Sequence, residues 1–140
     1  MKLLRYGPAG HELPGLLDAQ GKIRSLAEII PDLDAAHLSP QSLSRLVAID
    51  PATLPTVSGT PRLGVPVAGT RKFLAIGLNY ADHAAEANRP IPREPVVFTK
   101  AVSCLQGPND DVVLPKDSTK TDWEVELGVV IDRKSVVYGK

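Results

Sequence analysis

The sequence has little of several features that mark common functional classes. It contains one cysteine, Cys104, which excludes an intrachain disulfide and is typical of a reducing compartment. Its 16 basic and 16 acidic residues cancel, so the charge gives no indication of nucleic acid or a membrane surface as a partner. No stretch reaches the roughly 20 apolar residues of a membrane span, and Arg5 falls within what would be the apolar core of a signal peptide. We therefore expect a soluble cytoplasmic protein that binds neither nucleic acid nor membranes.

The motifs of several enzyme classes are also absent from the sequence. There is no phosphate-binding glycine loop, no Gly-x-Ser-x-Gly and no Cys-x-x-Cys. Cys104 has no activating partner nearby in the sequence, so we predict a small buried residue at this position. His11 and His37 have no metal-ligand spacing to a partner, and we interpret both as structural or surface residues.

Proline is frequent, and its distribution predicts how the chain is organised. The 13 prolines fall between apolar runs, which indicates short elements joined by fixed corners. Residues 1–70 are predicted to form a small α+β domain and linker, with a boundary near residue 70 and a proline-rich connector at 50–70 that holds at most one short strand. The short elements predicted ahead of the connector are strands at 2–6, 15–18 and 22–24 and a helical segment at 25–30.

The clearest helix signal of this first domain begins at Ser39. Serine is a favoured N-cap, and Pro40 suits the first helical position. Leu43, Leu46 and Val47 follow at spacings that place them on one face. The pattern predicts an amphipathic helix that packs through these three side chains.

From residue 72 the sequence carries the candidate catalytic residues. The elements predicted there are strands at 73–76, 96–99 and 112–114 and a helix at 80–88 capped by Asn79. His83 and Glu86 lie three residues apart on this helix and therefore share a face. A carboxylate one turn from a histidine can orient the ring and favour the imidazolium, which suits a general base. A surface pair without a role has the same spacing, so the spacing alone leaves both interpretations open.

Residues 121–131 have the most regular pattern in the chain. Alternation predicts a strand with carboxylates on one face, and the residues of that face are Asp122, Glu124 and Glu126. The apolar residues predicted for the opposite face are Trp123, Val125, Leu127 and Val129. Glu124 and Glu126 would lie about 7 Å apart, where a cation between them would relieve their repulsion. The segment is consistent with two oxygen ligands for a divalent metal or with a solvated edge strand.

The order of these motifs resembles the fumarylacetoacetate hydrolase family. The resemblance covers about residues 72–131 and rests on four segments in the family's order: 76–86, which contains Asn-Tyr-Ala-Asp-His; 95–100, which ends in Phe-Thr-Lys; Gly107-Pro108; and 122–131, which contains Glu-Val-Glu. The opening Met-Lys-Leu-Leu-Arg-Tyr-Gly is similar to the small leading domain of bacterial members. The implied fold class is mixed α/β, mainly β: a small N-terminal domain, then the start of the family's β-rich catalytic domain at 71–131.

The resemblance implies a role for each candidate residue. Glu124 and Glu126 match two of the family's three carboxylate ligands for Mg²⁺ or Mn²⁺. His83 and Glu86 match a dyad on a lid segment that activates water. Lys100 matches the lysine of a Phe-x-Lys motif and is expected to bind substrate, although Ala101 follows it where the family usually has proline.

The implied reaction is hydrolysis of a carbon–carbon bond in a small 2,4-dioxo acid, of acylpyruvate or diketo-deoxy sugar acid type. Ureidoglycolate lyase, oxaloacetate decarboxylase and diene-dioate isomerase remain open, because members with these activities share the same residues. Full-length relatives are expected to be homodimers. The partner implied for the chain itself is a small 2-oxo acid.

The sequence departs from the family's pattern after Ile131. The third metal ligand, an aspartate, is expected beyond residue 140, and residues 132–140 differ from the family's usual continuation. We interpret the chain as a truncated fragment with a non-native tail at 132–140. The competing hypothesis to an active enzyme is therefore an inactive fragment that lacks the third ligand. Apolar side chains around 125–131 are then expected to be exposed.

Overall fold

The computed structural model describes residues 1–131 and divides the chain into two compact units. Of these residues, Met1–Ala68 and 107–131 form the first unit, and Gly69–Gln106 form the second. The division at Gly69 lies next to the predicted boundary, but residues 107–131 group with the N-terminal segment. This grouping differs from the prediction, in which residues 71–131 form one continuous domain segment. Among the described residues, no helix is long and apolar enough to cross a membrane.

The first unit begins with a three-stranded antiparallel sheet. Its strands are β1 (Lys2–Tyr6), β2 (Leu13–Leu17) and β3 (Ile23–Ser25), in the order β1-β2-β3. Between β2 and β3 the Asp18 carboxylate accepts hydrogen bonds from the backbone N–H groups of Gln20 and Lys22, at 3.0 and 2.8 Å. This side chain closes the turn, as aspartate commonly does in short loops.

The helix predicted after Ser39 is present as α1 (Pro40–Val47). The Ser39 hydroxyl accepts a hydrogen bond from the backbone N–H of Ser42 at 3.3 Å, and Pro40 opens the first turn. Leu46 is 2% exposed, whereas Val47 is 66% exposed. The predicted cap is therefore confirmed, but the prediction that Val47 packs inward is wrong. Only Leu46 on this helix is fully buried.

The core of the first unit is aliphatic. Leu26 and Leu33 are completely buried, and the cluster comprises Leu16, Leu26, Ile30, Leu33, Leu46 and Leu54. The predicted helix at 25–30 is not formed. Instead, the Leu26 carbonyl accepts hydrogen bonds from the N–H groups of Ile29 and Ile30, at 2.8 and 3.0 Å, in a single turn. Pro31 has no N–H to continue a helical ladder, so the turn does not propagate.

The proline-rich connector packs along the sheet without adding a strand of regular length. It contains a short 3₁₀ helix at Pro51–Thr53, and two isolated bridges join Tyr6 to Leu63 and Arg24 to Thr56. These bridges attach residues 56–63 to β1 and β3. The connector is thus part of the first unit.

The second unit contains a two-stranded antiparallel sheet and one short helix. Its elements are β4 (Phe73–Gly77), α2 (Ala81–Glu86) and β5 (Val96–Lys100), followed by a 3₁₀ turn at Val102–Cys104. Strands β4 and β5 pair in register, with Phe73 opposite Lys100 and Ala75 opposite Phe98. The strands predicted at 73–76 and 96–99 are confirmed.

Two details of this unit correct the sequence predictions. Helix α2 is shorter than the predicted 80–88, and Tyr80 rather than Asn79 occupies its N-cap position. Cys104 is exposed, not buried. The 3₁₀ turn after β5 does not place the thiol inside a core, because none of its three residues is buried.

Residues 111–131 form no helix or strand in the described part of the chain, and they contain a turn in which the Ser118 N–H donates to the Pro115 carbonyl at 3.1 Å. The strands predicted at 112–114 and 121–131 are therefore corrected. An alternating pattern becomes a strand only when it pairs with another strand, and neither sheet within residues 1–131 includes this segment. The expected exposure is confirmed, since Leu127 is 87% exposed and Val129 is 70% exposed. The described fold is thus small and β-rich with few helices.

Candidate functional site

The predicted acid–base pair lies on α2 in the second unit. Strand β4 ends at Gly77, and Leu78 then adopts a left-handed conformation with φ of 50°. Left-handed backbone is strained for a branched residue. This reversal starts the connection to α2, which carries His83 and Glu86.

His83 and Glu86 are both exposed, while Ala84 between them is 1% exposed and anchors the helix. The three-residue spacing places the imidazole and the carboxylate on one face. Within the described residues no hydrogen bond or ion pair joins the two side chains. The structure therefore brings the two residues to one exposed face without orienting one by the other.

Lys100 lies at the end of β5 and is half-buried. Its Nζ atom lies 5.9 Å from the centre of the Phe73 ring, which is opposite it in the β4–β5 register. At this distance the ammonium group is attracted by the π face of the ring. The contact fixes the lysine stem along the strand and leaves its N–H donors free of a carboxylate partner among the described residues.

An open cleft of about 270 Å³ lies in the second unit, between the β4–α2 connection and the segment before β5. It is lined by residues 76–81 and 91–96. None of His83, Glu86 and Lys100 lines it. The cleft adjoins the helix that carries the candidate pair and does not surround the pair.

Glu124 and Glu126 are exposed and lie in the segment after residue 110, which groups with the first unit and forms no helix or strand. Carboxylate oxygens are the ligands that Mg²⁺ and Mn²⁺ prefer, so the donor type suits these ions. The number of ligands does not suit them, because residues 1–131 contain no group of three His, Cys, Asp or Glu side chains that could hold a metal ion. Within the described residues, no third side chain of these types joins Glu124 and Glu126.

A network of ion pairs in the first unit was not predicted from the sequence. The Arg62 guanidinium donates to both oxygens of Asp110, from Nε at 2.7 Å and from Nη2 at 2.6 Å. It also donates from Nη1 to Glu12 at 2.9 Å. Arg5 pairs with Asp32 at 2.7 Å and lies 3.5 Å from the second oxygen of Glu12.

The network lowers the pKa of two of its carboxylates, Glu12 and Asp110, and so favours their charged state. The hydrogen bond from Arg62 lowers the pKa of Glu12, and the same guanidinium lowers the pKa of Asp110, helped by the backbone N–H of Gly107. Hydrogen bonds from Asp110 and Glu12 in turn raise the pKa of Arg62. Charge-assisted bidentate pairs of this kind are the strongest hydrogen bonds in proteins. No local signal could have revealed the pair, since Arg62 and Asp110 are 48 residues apart.

Residues 72–137 match the family model described as "Fumarylacetoacetate (FAA) hydrolase C-terminal". This segment is therefore similar to the C-terminal part of fumarylacetoacetate hydrolases, as the order of its motifs indicated. All five candidate residues, His83, Glu86, Lys100, Glu124 and Glu126, fall inside it.

Similar proteins are known from Burkholderia. The chain is 63% identical over 134 residues to a protein named "Putative hydrolase" from Burkholderia cenocepacia (strain HI2424), covering 96% of this chain and 48% of the relative. A Burkholderia lata protein of the same name is 64% identical over 131 residues, covering 94% and 46%. The chain therefore spans about half the length of the curated relatives it matches.

A solved structure is also similar to the chain. It is the fumarylacetoacetate hydrolase from the psychrophilic Exiguobacterium antarcticum, with a TM-score of 0.50 and 25% sequence identity. The match covers 72% of this chain and 35% of that chain. The β-rich fold is therefore similar to that of a hydrolase of this family.

Proposed function

We propose that the chain carries part of the active site of a divalent-metal-dependent hydrolase that cleaves a carbon–carbon bond in a small 2,4-dioxo acid. The observation that carries this proposal is the family match over residues 72–137, which contains every candidate residue in the family's order. Acylpyruvates and diketo-deoxy sugar acids are the substrate classes that the resemblance favours.

His83 is proposed as the general base that takes a proton from water. Its exposure on α2 leaves the imidazole open to water and substrate. Glu86, one turn away, would orient the ring and stabilise the imidazolium when substrate orders the segment. Catalytic hydrogen bonds are often not formed in the absence of substrate, so the unpaired arrangement of the two side chains is compatible with this role.

Lys100 is proposed to bind a substrate carboxylate. Its charge is held near the strand end by the Phe73 ring, and an ammonium group is a suitable partner for a small acid. Glu124 and Glu126 are proposed to supply two of the ligands for Mg²⁺ or Mn²⁺. When bound, such an ion would draw charge from the oxygens of a 2-oxo acid.

A second candidate is that the 140-residue chain is inactive by itself. The observation that favours it is the absence of a third metal-ligating side chain near the other two within residues 1–131. Two carboxylates leave most positions around Mg²⁺ to water, so affinity should be weak. On this hypothesis the residues act only when a further segment supplies the missing ligand.

The test compares the 140-residue chain with a fusion in which residues 1–131 are continued by the C-terminal half of the Burkholderia cenocepacia relative. Turnover of an acylpyruvate, oxaloacetate and ureidoglycolate would be followed with and without Mg²⁺. We expect the fusion to hydrolyse the acylpyruvate and His83→Asn to reduce kcat by about 10² to 10⁴, the usual contribution of a general base.

His37→Asn is the matched control, because His37 pairs with Asp34 at 2.7 Å and belongs to the first unit, whereas α2 belongs to the second. Its activity should equal that of the unmodified fusion. Activity on ureidoglycolate or oxaloacetate alone would reassign the reaction within the family. Equal rates for His83→Asn and the control would refute the role of His83.

A further inference from the structure

The two chain segments that flank the second unit are tied to the first unit at both ends. On the side that leads into it, the Ala68 N–H donates to the Leu33 carbonyl at 2.9 Å. On the side that leads out, Asp110 accepts the bidentate pair from Arg62. The chain therefore leaves the first unit and returns to it at fixed points.

The returning turn is built around Gly107. Its N–H donates to the Asp110 carboxylate at 2.7 Å, and the Asp110 N–H donates back to the Gly107 carbonyl at 3.1 Å. Gly107 is buried, and a Cβ at this position would overlap the Leu63 carbonyl oxygen and approach an Asp110 oxygen to 2.8 Å. The Gly107-Pro108 motif thus has a structural reason: only glycine lets the turn lie against Leu63, beside the residue that clamps it.

We propose that Arg62 is a positioning residue that clamps the returning turn and so limits the freedom of the unit that carries His83 and Glu86. Tying the two ends of a segment removes conformations mainly from its opened state, which raises the free energy of local opening. This inference goes beyond the proposed function and does not depend on which reaction the protein performs.

The strength of the clamp follows from its geometry. Arg62 makes two parallel hydrogen bonds to Asp110 and a third to Glu12, and the Asp110 side chain is 24% exposed. Lysine would keep the charge but lose the planar fork that makes the bidentate pair. Arg62→Lys should therefore retain only part of the effect.

A matched ion pair exists in the same unit. Arg24 donates from Nε to Asp18 at 2.8 Å and from NH1 to Thr56 at 2.7 Å. Its partners lie within residues 1–68, so it does not fasten the returning turn. Removing Arg24 should loosen the N-terminal module without freeing the second unit selectively.

The experiment is hydrogen–deuterium exchange by mass spectrometry on the 140-residue chain and on its Arg62→Met and Arg24→Met variants. Methionine keeps an apolar stem in place of each arginine stem. For Arg62→Met we expect exchange in peptides from 69–106 to rise by about three- to tenfold, as loss of a partly exposed charged hydrogen-bond pair allows. The rise should exceed any change in peptides from β1 and β2, which adjoin Glu12, the other partner of Arg62.

Arg62→Lys should restore part of the protection, and Arg24→Met should raise exchange in β2 and β3 instead. If Arg62→Met fails to fold, Asp110→Asn decides in its place, because it keeps the side-chain size and removes one partner's charge. Exchange in 69–106 that matches the unmodified chain, or that rises equally for Arg24→Met, would overturn the proposal. Because the readout requires no turnover, its failure and failure of the proposed reaction are distinguishable.

Discussion

Two neighbouring residues on α1 should respond very differently to truncation. Leu46 is 2% exposed and contacts the core of the first unit, whereas Val47 is 66% exposed. Leu46→Ala removes three carbons from a packed interior, and Val47→Ala removes two from a surface. Comparing the two substitutions therefore distinguishes the effect of burial from the effect of side-chain hydrophobicity at adjacent positions of one helix.

The expected cost can be worked from these exposures. Three buried carbons at about 0.8 kcal/mol each give roughly 2.4 kcal/mol of lost transfer free energy for Leu46→Ala. The cavity left behind brings the total to about 2.5–4 kcal/mol. Val47→Ala should change the free energy of unfolding by less than about 0.5 kcal/mol, and the better helix propensity of alanine favours a small gain.

Urea unfolding followed by far-UV circular dichroism would measure both variants. With a slope on the order of 2 kcal/mol per molar urea, Leu46→Ala should lower the midpoint by about 1–2 M. Val47→Ala should leave it within about 0.3 M. Equal shifts for the two variants would show that α1 packs through the face that the sequence pattern predicted, and would refute the burial described here.

The other predictions concern the cap, the returning turn and acid stability. Ser39→Ala should cost about 1 kcal/mol in the same urea assay, because the Ser42 N–H loses its acceptor, and Ser39→Asp should keep most of the stability. Gly107→Ala should lower the thermal midpoint, since its Cβ has no space beside Leu63, and an unchanged midpoint would contradict the described turn. Arg62 holds the pKa of Glu12 below its ordinary value of 4.5. The stability that this pair contributes is therefore present at neutral pH and is lost as pH falls through the lowered pKa. Glu12→Gln should flatten the fall of the urea midpoint below pH 4.5.

Features that depend on local chemistry were predictable from the sequence. The strand predicted at 2–6 is β1 with its observed bounds, and Ser39 followed by proline marked the start of α1. The apolar runs at 73–76 and 96–99 gave β4 and β5. In each case the information lies within a few residues, because caps, turns and side-chain periodicity act over one or two turns of chain.

Features that depend on distant partners were not predictable. The alternation at 121–131 is a strand pattern, but a strand forms only when it pairs with another strand. No strand of the described residues pairs with this segment. Val47 fits an apolar face by spacing, yet the core contacts only Leu46. The Arg62–Asp110 pair joins positions 48 residues apart, and the sequence around a charged residue does not identify its ion-pair partner. The candidate site was predicted from the order of motifs, since spacing alone left His83 and Glu86 equivalent to an ordinary surface pair.

The most direct test of the account is the ratio of kcat/KM for an acylpyruvate between the unmodified fusion and its His83→Asn variant, measured with Mg²⁺ near neutral pH. If His83 on α2 is the general base of a fumarylacetoacetate hydrolase family enzyme, the ratio should lie between about 10² and 10⁴, with His37→Asn indistinguishable from the unmodified protein. A ratio near one, in a fusion that turns over the substrate, would contradict the role of α2 in catalysis.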